Sequence, residues 1–216
     1  MNDTDGLARY RAKRHFDRTD EPPDEPTAEG DRPGEGDRPG EEPSFVVQIH
    51  DASTTHFDFR LEVDGVLKSW SVPKGPSDDP HDKRLAVPTE DHPLEYREYE
   101  GVIPGGQYGA GTVIVWDQGT YRPLKDTDPG AFARALERGH ASFRLNGTKL
   151  RGGYALTRFR SGDDGAREAW LLVKENDAGG ARHGRATPDP RRARSARTGR
   201  TLRQVAREDV PGRGVR

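Results

Sequence analysis

The sequence predicts a mainly antiparallel β fold, a barrel or a sandwich, set between two unfolded segments of opposite charge. Three observations predict it. Short alternating or apolar runs recur between turn signals, and only one helix is well signalled. The stretch Phe45 to Val63 holds two strand-like runs joined by the polar Asp51 to Thr55. Hydrophobic residues make up only 30% of the chain against 33% charged, so one chain must mix foldable with unfoldable segments.

The formal net charge of −2 conceals a strong asymmetry. Residues 20–43 carry ten Asp/Glu against two Arg, a balance of −8, and repeat GDRPG twice. Such a stretch reads as a disordered acidic linker. Residues 181–216 carry eleven Arg against Asp189, Glu208 and Asp209, a balance of +8. The whole of 176–216 is almost free of hydrophobic residues and reads as a disordered basic tail attracted to polyanions. Residues 1–19 form an arm in which LARYRAKRHFDR offers a short helix with Leu7, Tyr10 and Phe16 as anchors. Such a helix is marginal alone. The folded domain is then 44–175, at roughly 130 residues large enough for one core. The chain has no cysteine, which excludes disulfides, zinc–thiolate sites and thiol nucleophiles. No apolar run reaches the roughly 18 residues of a membrane span, and no signal-peptide core is present. A cytoplasmic protein with no membrane contact is expected.

Taken in order, Phe45 to His50 is the first strand and His56 to Val63 the second. Asp64-Gly65 is a hairpin turn, followed by a strand from Val66 to Val72. KGPSDDPHDKR is a proline-broken loop. Leu85 to Val87 and Tyr96 to Val102 are short extended pieces around EDHPLEY. Thr112 to Trp116 is an apolar strand, with Asp117 to Thr120 as its turn. The helix has Asp128 as N-cap, Pro129 at its first position, Phe132 and Leu136 one turn apart, and Gly139 as its stop. Ala141 to Leu145, Gly153 to Phe159 and Ala169 to Lys174 complete the strands.

The second strand carries the chemistry. His56, Asp58, Arg60 and Glu62 alternate with Phe57, Phe59, Leu61 and Val63, so one face is apolar and the other polar. Pairing it with the first strand brings His50 towards His56 and Asp58. Two imidazoles and a carboxylate with open positions suit Mn, Fe or Zn. The plainer reading is the solvated side of an amphipathic strand. Arg60 lies two residues beyond Asp58 on the same face, and a planar guanidinium beside a divalent cation suits a phosphate oxyanion. Lys74, Arg84 and His92 offer further cationic donors on loops. The glycines of GVIPGGQYGAG lack the Gly-Lys-Ser/Thr of a P-loop and fit hairpin geometry better.

FVVQIHDASTTHFDFRLEVDGVLKSWSVPKGPS, KRLAVPTEDHPLEY and GVIPGGQYGAGTVIVWDQGTY together resemble the 3′-phosphoesterase domain of bacterial DNA ligase D. The leading LARYRAKRHFDRTDEP resembles that family's N-terminal arm. The resemblance implies a compact β barrel with short flanking helices. It implies Mn-dependent removal of a 3′-phosphate or a 3′-terminal ribonucleotide from a primer strand in end joining, with Co or Zn as other metals. His50, His56 and Asp58 would hold the metal, and Arg60, His92 and Tyr96 would contact the scissile phosphate. Gln48, Lys74, Arg84 and Glu90 would support the pocket, with Arg14 and Glu21 reaching it from the arm. The substrates would be DNA or RNA–DNA primer-template 3′ ends. A separate DNA ligase or polymerase and an end-binding protein would be partners.

This sequence departs from the family at His15, where Asp is common, and at Gly105 and Gln107, where acids are. The alternatives are a cupin-like metal oxygenase, which shares the ligand set, and a non-catalytic DNA-end-binding module.

Overall fold

The computed structural model describes residues 6–24, 42–125, 128, 130–162, 167–176 and 187–208. Its strands are β1 (Ser44–Asp51), β2 (Thr55–Val63), β3 (Val66–Val72), β4 (Lys83–Pro88), β5 (Gly101–Ile103), β6 (Gly111–Pro123), β7 (His140–Gly147), β8 (Arg151–Arg160) and β9 (Ala169–Lys174). Three short helices, α1 (Ala8–Ala12), α2 (Ala131–Glu137) and α3 (Leu202–Glu208), and a 3-10 helix at Leu94–Glu98 lie around them. All strand pairs are antiparallel. The order β1-β2-β3-β4-β9-β8-β7-β6 closes because β1 also pairs with β6, and β5 adds to β6 outside the circuit. The sequence left barrel or sandwich open; the β1–β6 ladder makes it a barrel.

The alternation in β2 works as the pattern predicts. Phe57, Phe59 and Leu61 are at most 1% exposed and meet Phe45, Trp116, Phe143 and Tyr121 inside the barrel. An eight-stranded barrel is just wide enough for side chains to fill it. Asp64 (φ 49) and Gly65 (φ 80) both adopt the left-handed region, as a primed two-residue hairpin requires.

Three expectations differ. Asp117 to Thr120 is no turn: β6 runs straight through it. The pairs Val47↔Asp117 and Gln48↔Val115 leave Trp116 as the extra residue of a bulge. Asp117 is fully buried and accepts the backbone N–H groups of Lys149 (2.9 Å) and Leu150 (2.8 Å). A Cβ on Gly119 would lie 2.2 Å from the Asn146 carbonyl, so that glycine serves close strand approach. Next, α2 begins at Ala131 behind Gly130 (φ 71), and Asp128 contributes its backbone carbonyl to Ala131 N–H at 2.9 Å. Finally, Leu94–Glu98 is helical, and of the expected piece Tyr96 to Val102 only Gly101 and Val102 pair, within the strand Gly101–Ile103.

The two tails are corrected more substantially. The basic tail expected to be disordered is ordered over 187–208, where Ala193, Leu202 and Val205 are at most 5% exposed. A few apolar residues suffice because they fill an existing gap. β6 is paired by β5 up to Val113 and by β7 from Gly119. Between them Ala196 N–H donates to the Val115 carbonyl at 2.8 Å. Residues 177–186 and 209–216 lie outside the described residues, as does most of the acidic linker, 25–41. Its first residues are not linker-like: Glu21 is 2% exposed.

Leu7 and Tyr10 of the N-terminal arm, two of the expected anchors, are buried, and Phe16 is partly buried. They form a second apolar cluster with Leu67, Leu94, Tyr96, Tyr99, Ile103 and Val113. Val113 faces His50 across the β1–β6 ladder, which puts this cluster on the outside of the barrel wall. The polar face of β2 is thereby covered as well.

Candidate metal and phosphate site

The β1–β2 register places His50 directly opposite His56, and Gln48 opposite Asp58. Directly opposed residues share a face. The ligand atoms of His50, His56 and Asp58 all lie within 4.8 Å of one another. His50 Nδ1 is 3.8 Å and His56 Nε2 3.5 Å from the Asp58 carboxylate. The other nitrogen of each ring is tied to a backbone carbonyl, His50 Nε2 to Gly109 at 2.7 Å and His56 Nδ1 to Thr54 at 2.8 Å. A carbonyl only accepts, so these nitrogens carry protons, which leaves His50 Nδ1 and His56 Nε2 facing Asp58, as lone pairs when the rings are neutral and as N–H donors when they are protonated. Tethering the outer nitrogen of an imidazole in this way orients it for a metal. Two imidazole nitrogens and a carboxylate, without thiolate, fit Mn, Fe, Co or Zn.

Arg60 is 3% exposed. Its Nε donates to Gln48 Oε1 (2.8 Å), its Nη1 to Ser69 Oγ (2.8 Å) and its Nη2 to Asp58 Oδ2 (3.0 Å). Gln48 is itself held by the carbonyls of Tyr96 and Tyr99, both at 3.0 Å. Burial would raise the Asp58 pKa, but the Arg60 charge and both imidazoles hold the carboxyl far below its ordinary range. Burial pulls His50 down against the attraction of Asp58. On His56 burial acts in the same sense, yet its hydrogen bond to Asp58 and that residue's charge outweigh it and raise the pKa.

The arm completes the wall. Arg14 Nε donates to Glu21 (2.9 Å), Nη1 to Glu90 (3.2 Å), and Nη2 lies 3.2 Å from His92 Nε2. The guanidinium only donates, so His92 Nε2 accepts from Arg14, while Nδ1 lies between the Arg60 Nη1 donor at 3.0 Å and the Glu90 carbonyl acceptor at 2.9 Å. Burial, then the charges of Arg60 and Arg14, drive the His92 pKa well below its ordinary value; the ring is neutral at neutral pH. Tyr96 OH donates to Glu21 at 3.1 Å, and burial holds its pKa well above the ordinary phenol value.

Ten of the twelve site residues expected from sequence thus converge: Gln48, His50, His56, Asp58, Arg60, Glu90, His92, Tyr96, Arg14 and Glu21. Lys74 and Arg84 do not join them. Lys74 is exposed in the turn after β3. Arg84 shares its strand face with Ala86 of the barrel core and bonds Asp82 at 2.6 Å. Sequence reading missed Ser69, the carbonyls of Thr54 and Gly109, and Lys13, which bridges Glu90 and Tyr108 at 3.0 Å each. Ser69 was readable from alternation along β3, being paired with Arg60 in register. The carbonyls carry no side-chain signal at all.

The family model of the DNA Ligase D 3′-phosphoesterase domain matches residues 48–158, just over half of the 216-residue chain. The chain is 50% identical over 171 residues to the multifunctional non-homologous end joining protein LigD of Pseudomonas aeruginosa, covering 79% of this chain and 19% of that protein. It is 47% identical over 154 residues to the multifunctional non-homologous end joining DNA repair protein LigD of Mycobacterium tuberculosis, covering 71% of this chain and 18% of that protein. With the LigD of Mycolicibacterium smegmatis it shares 37% over 180 residues, 82% of this chain and 22% of the relative. The chain therefore spans about a fifth of the length of these relatives. Among the described residues no helix is long and apolar enough to cross a membrane. The matched residues include His50, His56, Asp58, Arg60, His92 and Tyr96, and the chain belongs to the DNA Ligase D 3′-phosphoesterase domain family.

Proposed function

We propose that this chain is a Mn-dependent end-healing phosphoesterase that removes a 3′-terminal phosphate, or a 3′-terminal ribonucleotide, from the primer strand of a DNA or RNA–DNA end. The observation that carries it is the convergence of His50 Nδ1, His56 Nε2 and Asp58 beside a buried guanidinium. Those three side chains would hold the ion. A divalent cation bound there supplies Lewis acidity towards a phosphoryl oxygen and lowers the pKa of a coordinated water.

The protein residues do the rest. Arg60, fixed at three points, stabilises the negative charge that builds on the phosphoryl oxygens. His92 would donate to the phosphate through Nε2 once that nitrogen carries a proton and has exchanged Arg14 for a phosphate oxygen, and Tyr96 would donate its hydroxyl in exchange for Glu21. Gln48 and Glu90 hold Arg60 and the arm in place. Water attacks directly. The chain has no cysteine, and Ser69 donates its hydroxyl proton to the Leu67 carbonyl at 2.9 Å. Ser71 stands opposite Asp58 in the β2–β3 register, and direct attack by water requires that Ser71→Ala retain turnover. A DNA ligase or polymerase and an end-binding protein would act on the healed 3′-hydroxyl.

A labelled primer–template ending in a 3′-phosphate, or in one 3′-ribonucleotide, tests the reading with Mn, Co and Zn supplied in turn. A 3′-hydroxyl product is expected with Mn and none after chelation. Unchanged substrate with every metal would overturn it.

A further inference from the structure

Residues 187–208 form a strap across the barrel, and its arginines divide into two sets. The strap carries seven Arg against Asp189 and Glu208, a balance of +5 in 22 residues. Arg197 and Arg200 face the barrel. Arg197 pairs with Glu98 at 2.9 Å, and Arg200 pairs with Glu100 at 3.4 Å and Glu208 at 2.9 Å. Arg194 donates to the Gly199 carbonyl at 3.0 Å within the strap. Arg191, Arg192, Arg203 and Arg207 are exposed, and none makes an ion pair among the described residues. On α3, Leu202 and Val205 are buried, so Arg203 and Arg207, four residues apart, share the outer face.

This strap is tied to the barrel next to residues that support the site. Thr187 Oγ1 donates to the Pro76 carbonyl at 2.7 Å at one end, and Thr198 Oγ1 to Glu100 at 2.6 Å. Glu98 and Glu100 flank Tyr99, whose carbonyl, with that of Tyr96, holds Gln48 and through it Arg60. Four like charges with no ion pair among the described residues repel each other on one ordered segment and would favour its release. The buried anchors keep it down instead, so the positive potential has a fixed position relative to the phosphate-binding guanidinium.

We propose that the outward arginines of the strap, Arg191, Arg192, Arg203 and Arg207, form a binding surface for the phosphate backbone of duplex DNA whose 3′ end enters the site. The choice of duplex DNA rests on the function proposed above. The surface itself rests on the division of the arginines. Exposed guanidiniums without base-edge partners give affinity without sequence preference, and each phosphate neutralised steepens the salt dependence of binding.

The test measures binding and needs no turnover. Full-length protein and the quadruple variant Arg191→Gln, Arg192→Gln, Arg203→Gln, Arg207→Gln are titrated with a duplex ending in a 3′-hydroxyl, without metal, across a salt series. The variant is expected to bind more weakly at low salt. Its slope of log K against log salt should be shallower by about 0.9 for each lost contact, up to roughly 3.6 in all. A quadruple Arg→Lys variant should restore most of the slope, since a phosphate contact needs charge more than geometry, while a shared melting temperature excludes misfolding. Superimposable isotherms for wild type and the Gln variant would overturn the surface. So would a loss confined to anionic lipid vesicles with duplex binding intact. Neither result touches the phosphoesterase reading, which stands or falls on product formation.

Discussion

Arg14 Nη2 of the N-terminal arm lies 3.2 Å from Nε2 of His92, a residue 78 positions away. The contact puts a cation from the arm on the nitrogen that His92 would turn to a phosphate, and it helps to keep that ring neutral. Arg14→Ala removes one of the charges that depress the His92 pKa and loosens the arm that buries it. The His92 pKa is expected to rise towards its ordinary value, as read by NMR titration of the imidazole carbons. No movement would mean that the arm does not control the ring.

The cluster of His50, His56 and Asp58 should separate function from stability. His56→Ala is expected to abolish Mn binding and turnover with little loss of stability, since its side chain is 22% exposed and no buried charge is orphaned. Asp58→Ala removes the carboxylate partner of the buried Arg60 and should in addition cost about 3–5 kcal/mol. Calorimetric Mn titration and denaturant melts of both variants check this. Wild-type Mn affinity in His56→Ala would remove His56 from the ligand set.

Arg60→Lys keeps the charge and loses the fork that reaches Gln48, Ser69 and Asp58 together. Turnover is expected to fall about 10²- to 10³-fold, with Mn affinity less affected. If Lys proved as good as Arg in single-turnover assays, only the charge would matter.

Glu90 ties the arm to the barrel through Lys13 and Arg14. Burial would raise its pKa, but the Lys13 hydrogen bond, its own backbone N–H and the two cations outweigh that and lower it. The unfolded chain therefore binds the proton more readily, so the stabilisation is present above the ordinary carboxylate range and lost as pH falls through the native value. Glu90→Gln should be less stable than wild type at neutral pH, and the gap should close in acid. Melts showing a constant gap across pH would contradict the assignment.

Leu202 tests whether the strap is part of the fold. It is 4% exposed and packs into the main core cluster. Leu202→Ala is expected to cost about 2–5 kcal/mol, measured by denaturant unfolding. A cost within error of zero would mean that the barrel is complete without the strap.

Much of this protein is determined locally and is legible in its sequence. The period of two in β2 assigns Phe57, Phe59 and Leu61 to one side and His56, Asp58 and Arg60 to the other, because strand geometry makes alternation a nearest-neighbour property. Asp64-Gly65 names its own turn for the same reason. The pairing of His50 with His56 follows from the short polar connection between two strands. What tertiary structure decided are the contacts between distant segments. The β1–β6 ladder closed the barrel, the arm 34 to 37 residues before the first strand covered the polar face through Leu7 and Tyr10, and backbone carbonyls oriented both imidazoles. Arg84 and Arg60 are the same residue type, yet strand phase turned one into the barrel and the other onto the site. The strap is the sharpest case. Its composition is that of an unfolded tail, and it is ordered because three small apolar contacts meet a gap in the β6 edge that exists only once the sheet has closed.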